Sequence, residues 1–196
     1  EQGIKQGPEG PLSEKGRNQA AKVGEALRGL HIHRILASPF ERAKETADLI
    51  ARIIGAKVLY SPLLAERRNP SEVIGKSTKD PEVERIMTLI EDSYHEDNYR
   101  YSDEENFVEQ HERAKQCLRY LVKNGRRMTA VVTHHAFLKM LIATMLYQDD
   151  LHAGDYTKLF FFNFSGNAGI TVCEYNPWER FGKTRGWNVL EWDARV

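Results

Sequence analysis

Arg34-Ile35-Leu36-Ala37-Ser38-Pro39-Phe40-Glu41-Arg42-Ala43-Lys44-Glu45-Thr46-Ala47 is the stretch on which the fold of this chain turns. An apolar run stops at small polar residues, and an alanine-rich segment with helical spacing begins at once. The spacing predicts a buried strand over residues 32–37, with Ser38 as N-cap and Pro39 in the first helical position. The helix then runs through Ala43, Ala47, Ile50, Ala51 and Ile54 to a C-terminal Gly55. The same junction recurs at Met128-Thr129-Ala130-Val131-Val132-Thr133-His134-His135-Ala136-Phe137-Leu138-Lys139, where the strand 128–133 leads into a helix over 136–147. In an open α/β sheet, ligands gather at the carboxyl ends of parallel strands, where helix N-termini present free N–H groups. An Arg and a His delivered to that edge make an anion site with acid–base capability.

Residues 1–11 read as a loop, and Ser13 caps a helix that Gly29 stops. A further strand is expected at 57–60, and a helix begins at Asp80-Pro81. Residues 92–103 look irregular, and a long helix over 106–124 is closed by Gly125. Leu159–Phe164 and Ile170–Tyr175 are expected as strands around the turn Ser165-Gly166-Asn167-Ala168-Gly169. The segment carrying Trp187 and Trp192 has the pattern of an edge strand. Strands alternating with helices predict an α/β fold: a three-layer sandwich, with a mostly parallel sheet covered by helices on both faces. Residues 1–196 are read as one domain with a helical and loop insertion at about 67–105.

Lys+Arg and Asp+Glu both number 28, so no basic surplus points to nucleic acid. The longest apolar runs, such as Leu159-Phe160-Phe161-Phe162, fall short of the ~20 residues that span a bilayer, and no membrane partner is expected. Cys117 and Cys173 are too few for a disulfide framework and read as free thiols. With no signal-peptide pattern at the start, a cytoplasmic location is the expectation.

Three residues stand out chemically. Arg42 falls one turn into its helix, from where its planar fork can reach back over the helix N-terminus to bond two phosphate oxygens; the plain alternative is a surface Arg paired with Glu41 or Glu45. His134 sits next to its strand end, while the adjacent His135 must leave the backbone in another direction. No metal is expected, because neither His-Glu-x-x-His nor a carboxylate cluster accompanies the pair. Glu66, in Leu64-Ala65-Glu66-Arg67-Arg68, is suited to proton donation if it faces an anion pocket, or else it is a solvated Glu beside its Arg neighbours. A nucleophilic-serine elbow, Gly-x-Gly-x-x-Gly and a P-loop are all missing.

Taken together these segments resemble the histidine phosphatase superfamily, the phosphoglycerate mutase-like fold. Pro11-Leu12-Ser13-Glu14-Lys15-Gly16-Arg17-Asn18-Gln19-Ala20 is similar to that family's Pro-Leu-Thr-x-x-Gly-x-x-Gln-Ala. Ser38-Pro39-Phe40-Glu41-Arg42-Ala43-Lys44-Glu45-Thr46-Ala47 is similar to its Ser-Pro-x-x-Arg-Ala-x-x-Thr-Ala. Leu64-Ala65-Glu66-Arg67 resembles the acid-bearing segment, and Val131-Val132-Thr133-His134 the strand before the second catalytic His. The resemblance implies a pocket where a nucleophilic His is phosphorylated, two Arg and a second His grip the phosphoryl, and a carboxyl protonates the leaving group. It makes Arg42 a clamp, His134 the second His and Glu66 the acid, with Arg67 and His135 binding substrate and no cofactor required. His135 replaces the family's Gly. The family's opening Arg-His-Gly strand, which supplies the nucleophile, is not in the sequence and is expected upstream of Glu1.

What this implies is a phosphohydrolase acting on a phosphorylated small molecule or on phosphohistidine in a protein. The alternatives are a phosphoglycerate-type mutase and a non-catalytic phospho-ligand-binding or scaffold domain. Oligomeric state is not written in the residues.

Overall fold

Arg34–Ala37 forms the central strand, β1, lying parallel to Lys57–Tyr60 (β2) on one side and to Ala130–Val132 (β3) on the other. The register pairs Arg34 with Lys57 and Ile35 with Ala130. The computed structural model describes residues 3–160, 166–178 and 186–194. Because strand side chains alternate between faces, β1 feeds two cores. Ile35 and Ala37 pack with Val23, Ala47 and Ile50, which belong to helices α1 (Glu14–Leu27) and α2 (Glu41–Ile54). Leu36 joins the opposite cluster with Leu64, Cys117, Phe137 and Met140. That cluster is built chiefly by α4 (Phe107–Asn124), α5 (His135–Tyr147) and α6 (Ala153–Phe160). The expected α/β layering, a parallel sheet between helices, is what the chain forms.

The helix boundaries have local causes. Ser13 Oγ accepts the Gly16 N–H, and Asn106 with Glu109 forms a reciprocal capping box at the start of α4. Gly55 ends α2 in the left-handed conformation, φ 73°, which a side chain would resist. Between β2 and α4, Ser71–Val73 makes one 3-10 turn, and α3 (Pro81–Asp92), capped by Asp80, buries Val83, Ile86 and Ile90 in a cluster of its own.

Two sequence expectations need correcting. Ser38 does not cap α2: Phe40 holds the N-cap position, and the helix begins at Glu41. The strand expected at 159–164 is not one in the part described, because Leu159 and Phe160 complete α6, and residues 161–164 lie outside the described segments. Ala153, Tyr156 and Leu159 repeat at helical spacing along the core, and this burial overrides the strand preference read at Leu159. Strand β4 (Ile170–Asn176) instead pairs antiparallel with β5 (Gly186–Ala194), which carries Trp187 and Trp192 onto the α4–α5 core. Trp178 stays exposed. The outer edge of β3 has no strand beside it among the described residues, although Ile170 packs in the same cluster as Ala130 and Val132.

Candidate active site

The carboxyl ends of the three parallel strands are level with one another. Ser38 N–H donates to Val132 O at 2.9 Å, and Ser61 N–H to Ala37 O at 2.9 Å. His134, one residue beyond Thr133, therefore meets the residues that follow β1. Its Nε2 shares a 2.7 Å hydrogen bond with Ser38 Oγ, and its ring lies 5.1 Å from that of Phe40. Ser38 is fully buried and His134 nearly so. Burial, then the nearby cations Arg42 and Arg113, push the His134 imidazole down to about 3, so it is neutral at physiological pH.

Arg42 stands on the first turn of α2, with its guanidinium carbon 5.2 Å from the Phe40 ring centroid. Its Nη1 donates to Gly7 O at 3.0 Å, which draws the N-terminal loop across the site. The surface-pair alternative fails on geometry. Glu45 is engaged by Leu12 N–H and Arg17, and Glu41 lies against Lys44. Burial holds the Arg42 pKa below the ordinary arginine value, opposed by the Glu66 carboxylate. Arg42, Glu66 and His134 thus lie within electrostatic reach at one sheet edge.

Glu66 follows the turn Pro62–Leu64, and neither neighbouring guanidinium takes its oxygens in a hydrogen bond that would make it a simple surface ion pair. Oε1 accepts from Phe137 N–H at 2.9 Å and from Arg67 N–H at 2.8 Å, and Oε2 from Ala136 N–H at 3.2 Å. Two of these donors are free amides of the first turn of α5, where partial positive charge favours an anion. The carboxylate is anchored at the N-terminus of the helix that His134 opens. Arg67 is half-buried, its guanidinium carbon 5.3 Å from the centroid of the Tyr94 ring. His135, the first residue of α5, is exposed, unlike His134.

A residue the sequence did not single out holds this arrangement from beneath. Arg113 grips Glu105 through two 2.6 Å bonds, donates to the Leu63 and Ala65 carbonyls, and stacks 3.8 Å from the Phe137 ring centroid. It ties the Glu66 segment to α4 and α5 at once. No motif announces an Arg and a Glu eight residues apart across a helix start; the signal was only that α4 carries a charged residue on its core side. Ser38 was visible in the sequence but was read as a cap rather than as the partner of His134. The other five histidines lie elsewhere: His31 and His33 at the amino end of β1, His95 bonded to Asp92 O, His111 bonded to Gln148 O at 2.9 Å, and His152 beside Asp97. Both thiols are free, and burial pushes Cys117 up to about 12 and Cys173 up to about 11, so neither supplies a thiolate. An open cleft of about 590 Å³ against α1, lined by Glu14, Asn18, Lys22 and Asn167, shares no residue with the site.

The model of the histidine phosphatase superfamily (branch 1) matches residues 1–188. The protein named "Probable phosphoglycerate mutase GpmB" of Erwinia tasmaniensis is 31% identical over 139 residues. That match takes in 69% of this chain and 63% of the relative, so the chain spans under two thirds of that protein's length. Among solved structures, a mycobacterial glucosyl-3-phosphoglycerate phosphatase superposes with a TM-score of 0.78 at 22% identity, covering 98% of this chain and 93% of that one. Bacillus stearothermophilus YhfR gives 0.75 at 21%, covering 96% and 87%. At such identities the structural likeness speaks for the fold.

Proposed function

The chain belongs to the histidine phosphatase superfamily, and from that premise we propose that it is a phosphohydrolase acting on phosphomonoesters or phosphohistidine. The observation that carries the proposal is the buried His134, bonded to Ser38 at the level ends of parallel strands, with Arg42 and Glu66 within reach. A cation, a neutral imidazole and a carboxyl are what a transferred phosphoryl needs, because its transfer depends on positioning and charge neutralisation.

In this proposal the nucleophile is a histidine, as the family membership suggests, and it attacks phosphorus as the bond to the leaving oxygen breaks. Glu66 gives that oxygen a proton. Water then attacks the phosphohistidine and loses its proton to the Glu66 carboxylate, releasing phosphate and restoring both groups. Arg42 and His134 hold the equatorial oxygens throughout, and Arg67 meets the rest of the substrate. His135, on the exposed side of α5, is a contact for a larger substrate only.

The test is hydrolysis of p-nitrophenyl phosphate by the full-length protein. His134→Ala and Arg42→Ala should each cut kcat/KM by about 100-fold or more. An unchanged rate in either would remove that residue from the site. The name of the Erwinia relative keeps a mutase in view. Following 3-phosphoglycerate by phosphorus NMR separates the two, since a mutase yields an isomer and a phosphatase yields inorganic phosphate.

A further inference from the structure

The insertion between β2 and α4 reaches the site through Tyr94, just beyond α3. Its ring lies against the Arg67 guanidinium, and its hydroxyl donates to Gln110 Oε1 at 2.6 Å. Tyr156, at 5.5 Å between ring centroids, and Phe107, at 6.2 Å, fix the ring from the other sides. Gln110 is fully buried on α4, in the company of Phe107 and Ala114, and its Nε2 has no hydrogen-bond partner among the described residues.

A buried amide with an orphaned donor costs stability, and a leucine of similar size would avoid that cost. What Gln110 does supply is one acceptor, which takes the Tyr94 hydroxyl hydrogen. With that hydrogen committed, the lone pairs of the phenol oxygen are left to face a donor, and Arg67 is the cation beside them. Arg67 needs such a hold. Burial opposes its charge, and Tyr94, Tyr156 and Glu66 more than restore it. Lys5, on the N-terminal loop, feels the Arg67 charge as repulsion. A cation kept next to another cation, directly after the proposed acid, is on the leaving-group side of the site and suited to an anionic substituent.

We propose that Tyr94 and Gln110 are positioning residues: Gln110 orients the Tyr94 hydroxyl, Tyr94 fixes Arg67, and Arg67 grips the substrate beyond its phosphoryl group. This rests on the phosphohydrolase proposal above. It makes the insertion a determinant of substrate choice through a chain of two side chains that never touch the phosphoryl.

The test compares p-nitrophenyl phosphate with phosphoglycolate, which adds a carboxylate, in the full-length protein and its Tyr94→Phe, Gln110→Leu and doubly substituted forms. Each single change should raise the KM for phosphoglycolate (or its Ki, where it only inhibits) about tenfold more than the KM for p-nitrophenyl phosphate, with the loss in KM rather than kcat. The double variant should be no worse than either single one, because both break the same link. Meanwhile the double variant, in which both partners of the Tyr94–Gln110 hydrogen bond become apolar, should melt no lower than either single variant, whose change strands one buried polar group. A multiplicative double effect, an equal loss on both substrates, or a lower melting temperature with unchanged KM would overturn the positioning role. So would a parent protein that binds phosphoglycolate no better than inorganic phosphate. If the parent hydrolyses p-nitrophenyl phosphate in any of these cases, the phosphohydrolase proposal survives alone; if it acts on neither compound, both proposals fall.

Discussion

Acidification should destabilise this protein through one imidazole. In the folded chain His134 is pushed down to about 3 from an ordinary 6.5, chiefly by burial and then by Arg42 and Arg113. Between those two values the unfolded chain binds a proton that the folded chain refuses. Stability therefore falls as pH drops below 6.5 and is unaffected by this residue above it. At pH 5, about 1.5 units under the unfolded value, the loss is about 2 kcal/mol relative to pH 7.5. For a chain of this size that is a fall in melting temperature of about 4–8 °C. Other groups titrate in the same range, His111 among them, whose pKa is also lowered by burial. The comparison with His134→Asn cancels them, since Asn keeps a polar partner for Ser38 and cannot titrate. Thermal unfolding of both proteins across pH 5.0–7.5 should show the parent losing those extra degrees. Parallel curves would refute both the burial argument and the neutral state of the imidazole. Added inorganic phosphate should shrink the difference, because an anion beside the ring favours its protonated form.

Other substitutions probe the remaining parts. Glu66→Ala removes the acceptor for two α5 amides and should cost about 1–2 kcal/mol of stability, read by urea denaturation. Glu66→Gln should recover much of that stability while kcat remains down at least about 100-fold, so parallel recovery of both would deny Glu66 its acid role. Arg113→Met strands Glu105 in the interior and frees two carbonyls, and it should cost about 3–5 kcal/mol in the same assay. A loss under about 1 kcal/mol would mean that the pair does not hold the Glu66 segment. Arg42→Lys keeps the charge but not the fork, and kcat/KM on p-nitrophenyl phosphate should drop by about 10–100-fold with stability nearly unchanged.

The fold was legible wherever one physical signal dominated. Lys57–Tyr60 came out with its true ends because Gly55, in a left-handed turn, and Ser61 bracket it. Asp80-Pro81 marked its helix start because a cap is local chemistry, satisfied within three residues, and the capping box of Asn106 with Glu109 fixes the start of α4 in the same way. The failures fall where local and distant demands compete. Ser38-Pro39 has the form of a helix start, yet Ser38 is wanted by a histidine 96 residues away, and the helix begins three residues later. Leu159-Phe160 has strand character, but a core already supplied by α4 and α5 selects the helical stripe.

The candidate site divides along the same line. His134, Arg42 and Glu66 were legible because each sits a fixed distance from a strand end, and a strand end in a parallel sheet is a place that topology alone defines. Their state was not. Nothing local says that His134 is neutral, since this comes from burial combined with two arginines on separate helices. Nor does anything local say that Glu66 spends its oxygens on α5, whose first turn lies 70 residues downstream. Arg113 was invisible for a stricter reason. It touches no phosphoryl-binding group by sequence motif, and its value lies in joining the Leu63–Ala65 carbonyls to Glu105 and Phe137, four points that only the folded chain brings together. The groups proposed to touch a ligand sit in short motifs, while the groups that set their charge and angle are dispersed along the chain. Variants at Arg113, Tyr94 and Gln110 are therefore the sharper probes, because they leave every motif intact and still move the site.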